Sequence, residues 1–249
     1  MSSEPIFQND TVKFMWVDLV KDIYSKLDQM LAFPQNHEVF HFIAASTLVQ
    51  IGEDSEFSGI LKKGNLICDS RVIEILSAML GSRVERIRGA DFLRLFFSKE
   101  LLTNRHLFVG STPEVMENLK SNLQSIAPIT QNISFVCPSI DLKVEQQVEL
   151  LKSKFYAYDF DYVWIAMGSP KQDYIANSLS GYFKASIFCV GAAVDFVSGA
   201  KSEAPKLIQS VGFEWFFRLL QEPRRLFSRY TIGNMKFLFL FFKWLLKYK

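Results

Sequence analysis

One aspartate in this chain has the type and position of a general base. Asp69 directly follows the apolar run NLIC at 65–68. An acid at the end of a buried strand is partly removed from water, and such a carboxylate can take a proton from a hydroxyl group. The alternative is an aspartate that caps the helix after the strand. The sequence alone leaves both interpretations open.

Three arginines near the C-terminus have a spacing that would place them on one face of a helix. At 100° per residue, Arg218, Arg225 and Arg229 fall within about 20° of one line. Guanidinium groups on a partly buried face suit a diphosphate, whereas the alternative is an amphipathic helix with a solvated basic side. Pro223 predicts a break there, with the proline at the first position of a second helix. Four aromatic residues of the same stretch are predicted to face the core: Phe213, Trp215, Phe216 and Phe217.

The elements that must position these residues follow a repeating pattern. A short apolar strand, then a polar or small residue, then a helical segment recurs along most of the chain, which predicts βαβ units and a parallel sheet. The expected fold class is therefore α/β, with a Rossmann-like, mostly parallel sheet flanked by helices. The strands are predicted in FHFIAAS (40–46), NLICDS (65–70), RHLFVGS (105–111), NISFVCP (132–138), YVWIAMGSP (162–170) and ASIFCVGA (185–192).

The two ends of the chain depart from this pattern. The alternation stops after Ala204-Pro205, so we divide the chain into an α/β catalytic domain at 1–204 and a C-terminal helical appendage at 205–249. Before the first βα unit, residues 14–30 predict a short strand followed by an amphipathic helix.

The carboxyl ends of parallel strands share one edge of a sheet, and ligands of such sheets bind outside that edge. The residues after the predicted strands should therefore meet there. Predicted helix starts at Ser111-Thr112-Pro113 and at Ser169-Pro170-Lys171 would present free N–H groups to an anion at the same edge.

Several other features carry no catalytic signal. Asp159-Phe160-Asp161 precedes its strand, at the opposite edge, and is interpreted as a solvated turn. His37, His41 and His106 are interpreted as structural. No glycine-rich dinucleotide or P-loop motif is present. The cysteines fit no zinc spacing and are predicted to be buried thiols in a reducing compartment: Cys68, Cys137 and Cys189.

Charge and the two termini indicate where the protein works. A net charge of +2 gives no sign of a nucleic-acid partner, and the N-terminus has no secretory signal, so a cytoplasmic protein is expected. The tail FLFLFFKWLLKYK at 237–249 is too short to span a bilayer, which needs about 20 residues. Its lysines and aromatic residues are typical of a helix that lies in the surface of an anionic membrane. A core-packing helix or a dimer face is the alternative.

Several motifs together resemble a known family. WIAMGSPKQDYI, VGAAVDFVSG, EAP and GFEWFFRLLQEPRRLFSRY keep the order and spacing of the WecG/TagA/CpsF glycosyltransferases, also called glycosyltransferase family 26. The resemblance is strong over 161–230, moderate over 40–110 through ICDS, RVERIRGADFL and LFVGSTPE, and faint before 38 and in the last fifteen residues.

The resemblance implies an activity. Family members transfer a sugar from a UDP-sugar to a lipid-diphosphate-linked saccharide at the cytoplasmic membrane face, with inversion and without a metal or other cofactor. The implied partners are a UDP-sugar donor, a polyprenyl-diphosphate-linked acceptor and an anionic membrane surface. The donor would be UDP-N-acetylmannosamine, its uronic acid or a UDP-hexose. Whether the chain forms a homo-oligomer stays open.

The resemblance also implies site residues. Asp69 matches the family's catalytic aspartate and Arg86 its conserved arginine, and we expect both to be catalytic. The arginines of the appendage would stabilise charge on the UDP leaving group. The full set expected to bind substrate is Ser46, Thr47, Gly168, Lys171, Gln172, Gly191, Asp195, Arg218, Arg225 and Arg229.

The chain departs from the family pattern at several positions. Ser70 stands where glycine is usual, 44–47 lacks the expected asparagine, Glu203 replaces arginine in the R-A-P motif, and Asp173 replaces a glutamate. These changes leave open a different donor sugar. They also leave open a degenerate member that binds nucleotide or acceptor as the partner of another transferase, or a domain whose appendage docks onto a protein.

Overall fold

Eight strands form one sheet in the order β1-β2-β4-β3-β8-β7-β5-β6, and every pairing is parallel except the β1–β2 hairpin. In this computed structural model the described residues are 11–32, 37–99, 104–127, 132–139 and 141–248, without the side chains of Arg225, Ser228, Arg229 and Tyr248. The strands are β1 (Thr11–Phe14), β2 (Val17–Val20), β3 (Val39–Ile43), β4 (Asn65–Cys68), β5 (His106–Gly110), β6 (Ile133–Val136), β7 (Tyr162–Ala166) and β8 (Ser186–Cys189).

The predicted parallel strands are confirmed as β3 to β8. The N-terminal prediction was incomplete, because 14–30 holds the second strand of an antiparallel hairpin before its helix. The helices are α1 (Ile23–Ala32), α2 (Ala45–Glu53), α3 (Ser55–Leu61), α4 (Arg71–Met79), α5 (Gly89–Lys99), α6 (Pro113–Ile126), α7 (Val144–Lys154), α8 (Lys171–Leu179), α9 (Ala193–Val197), α10 (Lys206–Val211), α11 (Glu214–Gln221), α12 (Pro223–Phe227) and α13 (Gly233–Tyr248), with a π-helical turn at Ser228–Ile232.

Helices cover both faces of the sheet. Successive strand residues point to opposite faces, so Trp164 packs on one side while Val163 and Ile165 pack on the other. The first face is covered by α1, α5, α6 and α9. The second is covered by α2, α3, α4 and α13 over one half and by α7 and α8 over the other. The continuous apolar runs of the strands follow from this double burial.

Local capping fixes where several helices begin at the carboxyl edge. Thr112 caps α6 by accepting a hydrogen bond from Val115 N at 3.4 Å, and Pro113 occupies the first turn, as predicted. The start of α8 differs from the expectation of a serine cap. Its N-cap residue is Pro170, which makes no side-chain capping bond.

The break in the appendage is confirmed, but the orientation of its aromatic residues was predicted wrongly. Helix α11 ends at Gln221 and α12 begins at Pro223. Phe213 and Phe216 are 54% and 45% exposed, and no described residue of α11 is fully buried. Periodicity showed that this helix has an apolar face. It did not show that the face lies outward, away from the sheet.

Helix α13 shares the core of the α/β domain. Phe237 and Phe241 are 2% and 4% exposed and pack in the same cluster as Phe14 and Leu48, with the ring centroids of Phe14 and Phe241 5.9 Å apart. The core-packing alternative therefore holds for one face of this helix. Its outer face leaves large apolar side chains exposed: Met235, Leu238, Phe239, Phe242 and Leu246. Among the residues that the structure describes, no helix is both long and apolar enough to cross a bilayer.

Candidate active site

A cavity of about 760 Å³ opens at the carboxyl edge of the sheet, where the site was predicted. The sequence prediction placed residues from several distant segments in one site, and nine of them line this cavity: Ser46, Thr47, Asp69, Gly168, Lys171, Gln172, Gly191, Asp195 and Arg218. Arg86 does not line this cavity and instead contacts the backbone of Asp69. The side chains of Arg225 and Arg229 lie outside the described residues.

Asp69 lies in the cavity wall directly after β4. Its backbone N–H donates to Ile43 O at 3.1 Å and so extends the β3–β4 ladder by one residue. Capping of α4 falls to Ser70, whose Oγ accepts from Ile73 N at 3.4 Å. The capping interpretation of Asp69 is therefore wrong, because Ser70 and not Asp69 caps the helix.

The surroundings of Asp69 change its acidity. Burial, opposed chiefly by Arg86, raises the pKa of the Asp69 carboxyl to about 6. Glu214 raises this pKa further, whereas Arg218 lowers it. A carboxylate with such a pKa is ionised at neutral pH and is a stronger base than an ordinary aspartate.

Arg86 positions the strand end and does not reach the large cavity. Its Nε donates to the backbone oxygen of Asp69 at 3.1 Å and its Nη1 to Gln209 O at 3.4 Å. Its Nη2 pairs with the Glu214 carboxylate, which also lies 2.9 Å from Arg88 Nε. Arg86 thereby connects the end of β4 to α10 and α11 of the appendage.

Gln172 joins two of the strand ends. Its Oε1 accepts from Gly168 N at 3.1 Å, and its Nε2 donates to Cys189 O at 3.0 Å. Gly168 and Gly191 both have a left-handed backbone, with φ of 77° and 57°, which turns the chain away from its strand. Gln172 thus holds the loops after β7 and β8 at a fixed separation.

A buried hydrogen-bonding contact between a histidine and an aspartate anchors the helix that carries Gln172. His41 Nδ1 lies 2.7 Å from Asp173 Oδ1, and both side chains are almost fully buried. Cys189, the register partner of His41 on the neighbouring strand, lies beside them. The Asp173 carboxylate is therefore held at one of its oxygens by a histidine from β3.

Asp195 connects the cavity to the appendage. Its Oδ1 accepts from Ser111 Oγ at 3.2 Å, and its Oδ2 lies 2.8 Å from Lys201 Nζ. Lys201 also pairs with Glu222, at 3.1 Å, just before α12. The same cation can contact a phosphate, because it already lines the cavity.

Arg218 brings a positive charge from α11 to the cavity. Its guanidinium lies over the ring of Phe196, 5.1 Å from the centroid, which holds the side chain against α9. Lys171 supplies a second cation, and its Nζ donates to Leu142 O at 3.2 Å. Together with Lys201, these side chains place three cations in the lining of the cavity, which suits an anionic ligand.

Glu203, the reversed charge of the family motif, lies away from the cavity. Its carboxylate pairs with Arg94 and lies 2.6 Å from Arg88 Nη2. These two guanidinium groups lower the pKa of Glu203 in spite of its burial. The reversal is thus matched by two arginines of this chain.

Most of the features set aside as structural behave as expected, but the prediction of a buried thiol is wrong for Cys137. Asp161 accepts from Arg105 N at 2.7 Å at the far edge of the sheet, and His106 accepts from Trp164 Nε1 at 3.2 Å. Burial raises the pKa of the Cys68 thiol to about 12 and that of Cys189 well above its usual value, while Cys137 is only partly buried.

Three residues of the site were missed by sequence reasoning. Glu214 and Tyr230 entered the sequence analysis only as letters of a motif, and Lys201 had no signal at all. Tyr230 lines the cavity from the π-helical turn. No sequence pattern marks a residue whose role depends on how the appendage folds back over the sheet.

The fold and this cavity define an α/β protein with a cavity of ligand-binding size at the carboxyl edge of its sheet, beneath the C-terminal helices. The model of the WecG/TagA/CpsF glycosyltransferase family matches residues 13–249, and the chain belongs to that family. The match covers nearly the whole chain, including 13–37 and the last fifteen residues, where the resemblance read from the sequence was faint.

Proposed function

We propose that this glycosyltransferase moves a sugar, with inversion, from a UDP-sugar to a lipid-diphosphate-linked saccharide in bacterial surface-polysaccharide synthesis. The donor would carry N-acetylmannosamine, its uronic acid or a hexose. The observation that carries the proposal is the position of Asp69: an ionised carboxylate with a raised pKa, in the wall of a cavity that also contains Arg218.

In the proposed reaction, the acceptor hydroxyl attacks C1 of the donor sugar. The new bond joins the acceptor oxygen to C1 as the bond between C1 and the diphosphate oxygen breaks, and the hydroxyl proton passes to Asp69. UDP leaves with the electron pair of the broken bond. Arg218, together with Arg225 and Arg229, stabilises the charge that develops on the diphosphate.

The remaining cavity residues would bind and orient the donor. Ser46, Thr47, Lys171 and Asp195 offer polar groups to the nucleotide and sugar, and Gly168 and Gly191 let the backbone approach the ligand. Gln172 would act by holding these loops in place.

Asp69→Asn tests the proposal. With a panel of UDP-sugars and a short diphosphate-linked acceptor, we expect one donor to support acceptor-dependent UDP release, and the variant to lose about 100-fold or more in kcat. UDP binding, measured by calorimetry, should remain. Asp161→Asn is the matched control, because this aspartate lies at the opposite edge, and it should keep full activity. UDP binding without release from any donor would instead support a partner protein without catalysis.

We also propose that the appendage rests on the anionic inner face of the cytoplasmic membrane. The support is the exposed apolar surface of α11 and α13, next to Lys243 and Lys247, which are both exposed. This surface would bring the cavity to an acceptor that is anchored in the membrane.

A further inference from the structure

Three side chains of the types that bind transition metals meet between the sheet and α8. His41 comes from β3, Cys189 from β8 and Asp173 from the first turn of α8. One nitrogen, one sulfur and one oxygen of these residues lie within 4.8 Å of one another, and all three residues are buried. The fold thus brings three different donor atoms together in the core, and none of the three has a part in the proposed transfer.

The register of the sheet places two of these side chains next to each other. His41 and Cys189 are partners in the parallel β3–β8 ladder, so their side chains point to the same face. Helix α8 covers that face, and Asp173 Oδ1 lies 2.7 Å from His41 Nδ1. Two central strands and a helix therefore fix the positions of the three donor groups.

A buried oxygen atom of this cluster gives an independent indication of a ligand. Asp173 is 2% exposed, and its Oδ2 has no hydrogen-bond partner among the residues that the structure describes. The Cys189 thiol interacts with the same carboxylate, but a thiol is a weak donor. A buried carboxylate oxygen without a strong partner costs free energy, and a cation bound there would remove that cost.

A cation would also change the state of the thiol. Burial, and then the charge of Asp173, raise the pKa of Cys189 well above its usual value, so the metal-free thiol keeps its proton. A divalent ion reverses this preference, because a thiol that coordinates such an ion is deprotonated outright. The cluster can therefore exchange one proton for one metal ion.

The donor atoms select zinc among the common divalent ions. Thiolate and imidazole suit Zn²⁺, whereas Mg²⁺ and Ca²⁺ prefer oxygen ligands. Neighbouring ligand atoms around tetrahedral zinc lie about 3.2–3.7 Å apart, given bonds of about 2.0–2.3 Å. The donor atoms of the cluster, 2.7 Å apart at one contact and within 4.8 Å overall, reach this spacing through shifts of about 1 Å.

A separate cavity gives an ion access to the cluster. It has a volume of about 260 Å³, lies at the amino edge of the sheet and is lined by His41 and by polar residues such as Asn65 and Asn177. Gly64 leaves room for the imidazole, since a Cβ atom at this position would lie 2.9 Å from His41 Cδ2. Water in this cavity can supply the fourth ligand of a tetrahedral site.

We propose that His41, Asp173 and Cys189 bind one Zn²⁺ ion, which fastens α8 to the sheet. Zinc forms bonds to Nδ1, to a carboxylate oxygen and to Sγ, and the thiol proton passes to solvent. The ion has a structural role and takes no part in sugar transfer, so this site goes beyond the proposed function and does not depend on it. No zinc spacing marks it in the sequence, because each ligand comes from a different element.

Metal binding to the untagged, full-length chain tests the site. After removal of metals with a chelator, the wild type should bind one Zn²⁺ per chain, and Co²⁺ in its place should give a thiolate-to-cobalt charge-transfer absorption. Cys189→Ser should weaken zinc binding about 100-fold or more and remove that absorption. Cys68→Ser is the matched control, because Cys68 is also a fully buried thiol at the end of a parallel strand, and it should bind zinc as the wild type does.

Thermal unfolding gives a second measurement. Zn²⁺ should raise the Tm of the wild type, since it binds the folded chain, and should leave the Tm of Asp173→Asn unchanged. Zinc binding below one ion per chain at saturation, a cobalt spectrum without the charge-transfer absorption, or equal zinc affinity in the two serine variants would overturn the proposal. The cobalt spectrum needs no variant, so it decides the question even where Cys189→Ser does not fold.

Discussion

At the scale of single residues, the acidity of Asp69 is set first by burial, which raises its pKa, and then by two neighbours of opposite charge that pair with each other. Arg86 lowers the pKa of Asp69 and Glu214 raises it, and the two side chains form an ion pair behind the strand end. The balance of burial and these two charges leaves the carboxyl with a pKa of about 6, so it is ionised at neutral pH and is a stronger base than an exposed aspartate.

This balance predicts a pH dependence. Since the base must be ionised, kcat/KM should be constant above pH 7 and should fall about tenfold per pH unit below the Asp69 pKa, about 6. Arg86→Met removes the charge that lowers this pKa, so the acidic limb should move to higher pH. Glu214→Gln removes a charge that raises it, so the limb should move to lower pH. Steady-state rates across pH 4.5–8, the range that brackets that pKa at about 6, measure both shifts.

Arg105→Met is the control for these variants. Arg105 lies at the far edge of the sheet beside Asp161, so its loss should leave the profile unchanged. If all three variants showed the wild-type profile, the group titrating near pH 6 would not be Asp69.

Glu203 is predicted to contribute to stability and not to donor choice. It pairs with Arg88 and Arg94 outside the cavity, so Glu203→Gln should lower the free energy of unfolding by about 2 kcal/mol. The KM for the UDP-sugar should stay unchanged. Urea unfolding and donor kinetics check the two parts. A changed donor preference in this variant would show that the departure from the family motif does reach the site.

At the scale of elements, α13 has two apolar faces, of which one is buried and the other is exposed. The inner face completes the core over β1 and α2, whereas the outer face remains open. The predicted domain boundary, between 204 and 205, falls just before α10. The last helix nevertheless packs in the core of the α/β domain that precedes this boundary.

A pair of adjacent phenylalanines tests this division. Phe241→Ala removes a buried ring that stacks on Phe14 and Phe237, and it should cost about 3–5 kcal/mol of unfolding free energy. Phe242→Ala should change stability by about 0.5 kcal/mol or less, since that ring is 57% exposed. Thermal and urea unfolding of both variants measure the difference. Equal effects would contradict a shared core, and a separate second transition in the wild type would show that the appendage unfolds by itself.

At the scale of the whole molecule, many of the exposed large apolar side chains lie on the appendage, among them Leu220, Phe239 and Leu246. We expect the protein to co-sediment with vesicles that contain phosphatidylglycerol, and less so at high salt. Phe242→Glu should reduce the bound fraction, because the outer face of α13 would carry an acid. Tyr156→Glu, at an aromatic residue 80% exposed on the α/β domain, is the matched control and should bind as the wild type does.

Point variants are the suitable probes for this surface. Deletion of 237–249 would also remove Phe237 and Phe241 from the core, so a lost interaction could reflect unfolding. Failure of the intact chain to bind anionic vesicles, or equal loss in both variants, would refute the membrane contact.

Much of the fold and part of the site could be predicted from the sequence, because the signals are local. Buried strands appear as apolar runs, and the residue after each run must lie at the carboxyl edge of a parallel sheet. The positions of Asp69, Gly168 and Gly191 in one cavity follow from this rule alone. Pro223 likewise marks a helix start through its own backbone chemistry.

The tertiary structure alone decided which of these residues contact one another. The pairs Arg86–Glu214 and His41–Asp173 join positions 128 and 132 residues apart, and no local pattern specifies such partners. Periodicity shows that α11 and α13 have apolar faces, but only packing against the rest of the chain determines which faces are buried. Arg218 and Tyr230 line the same cavity as Asp69 because the appendage folds back over the end of the sheet.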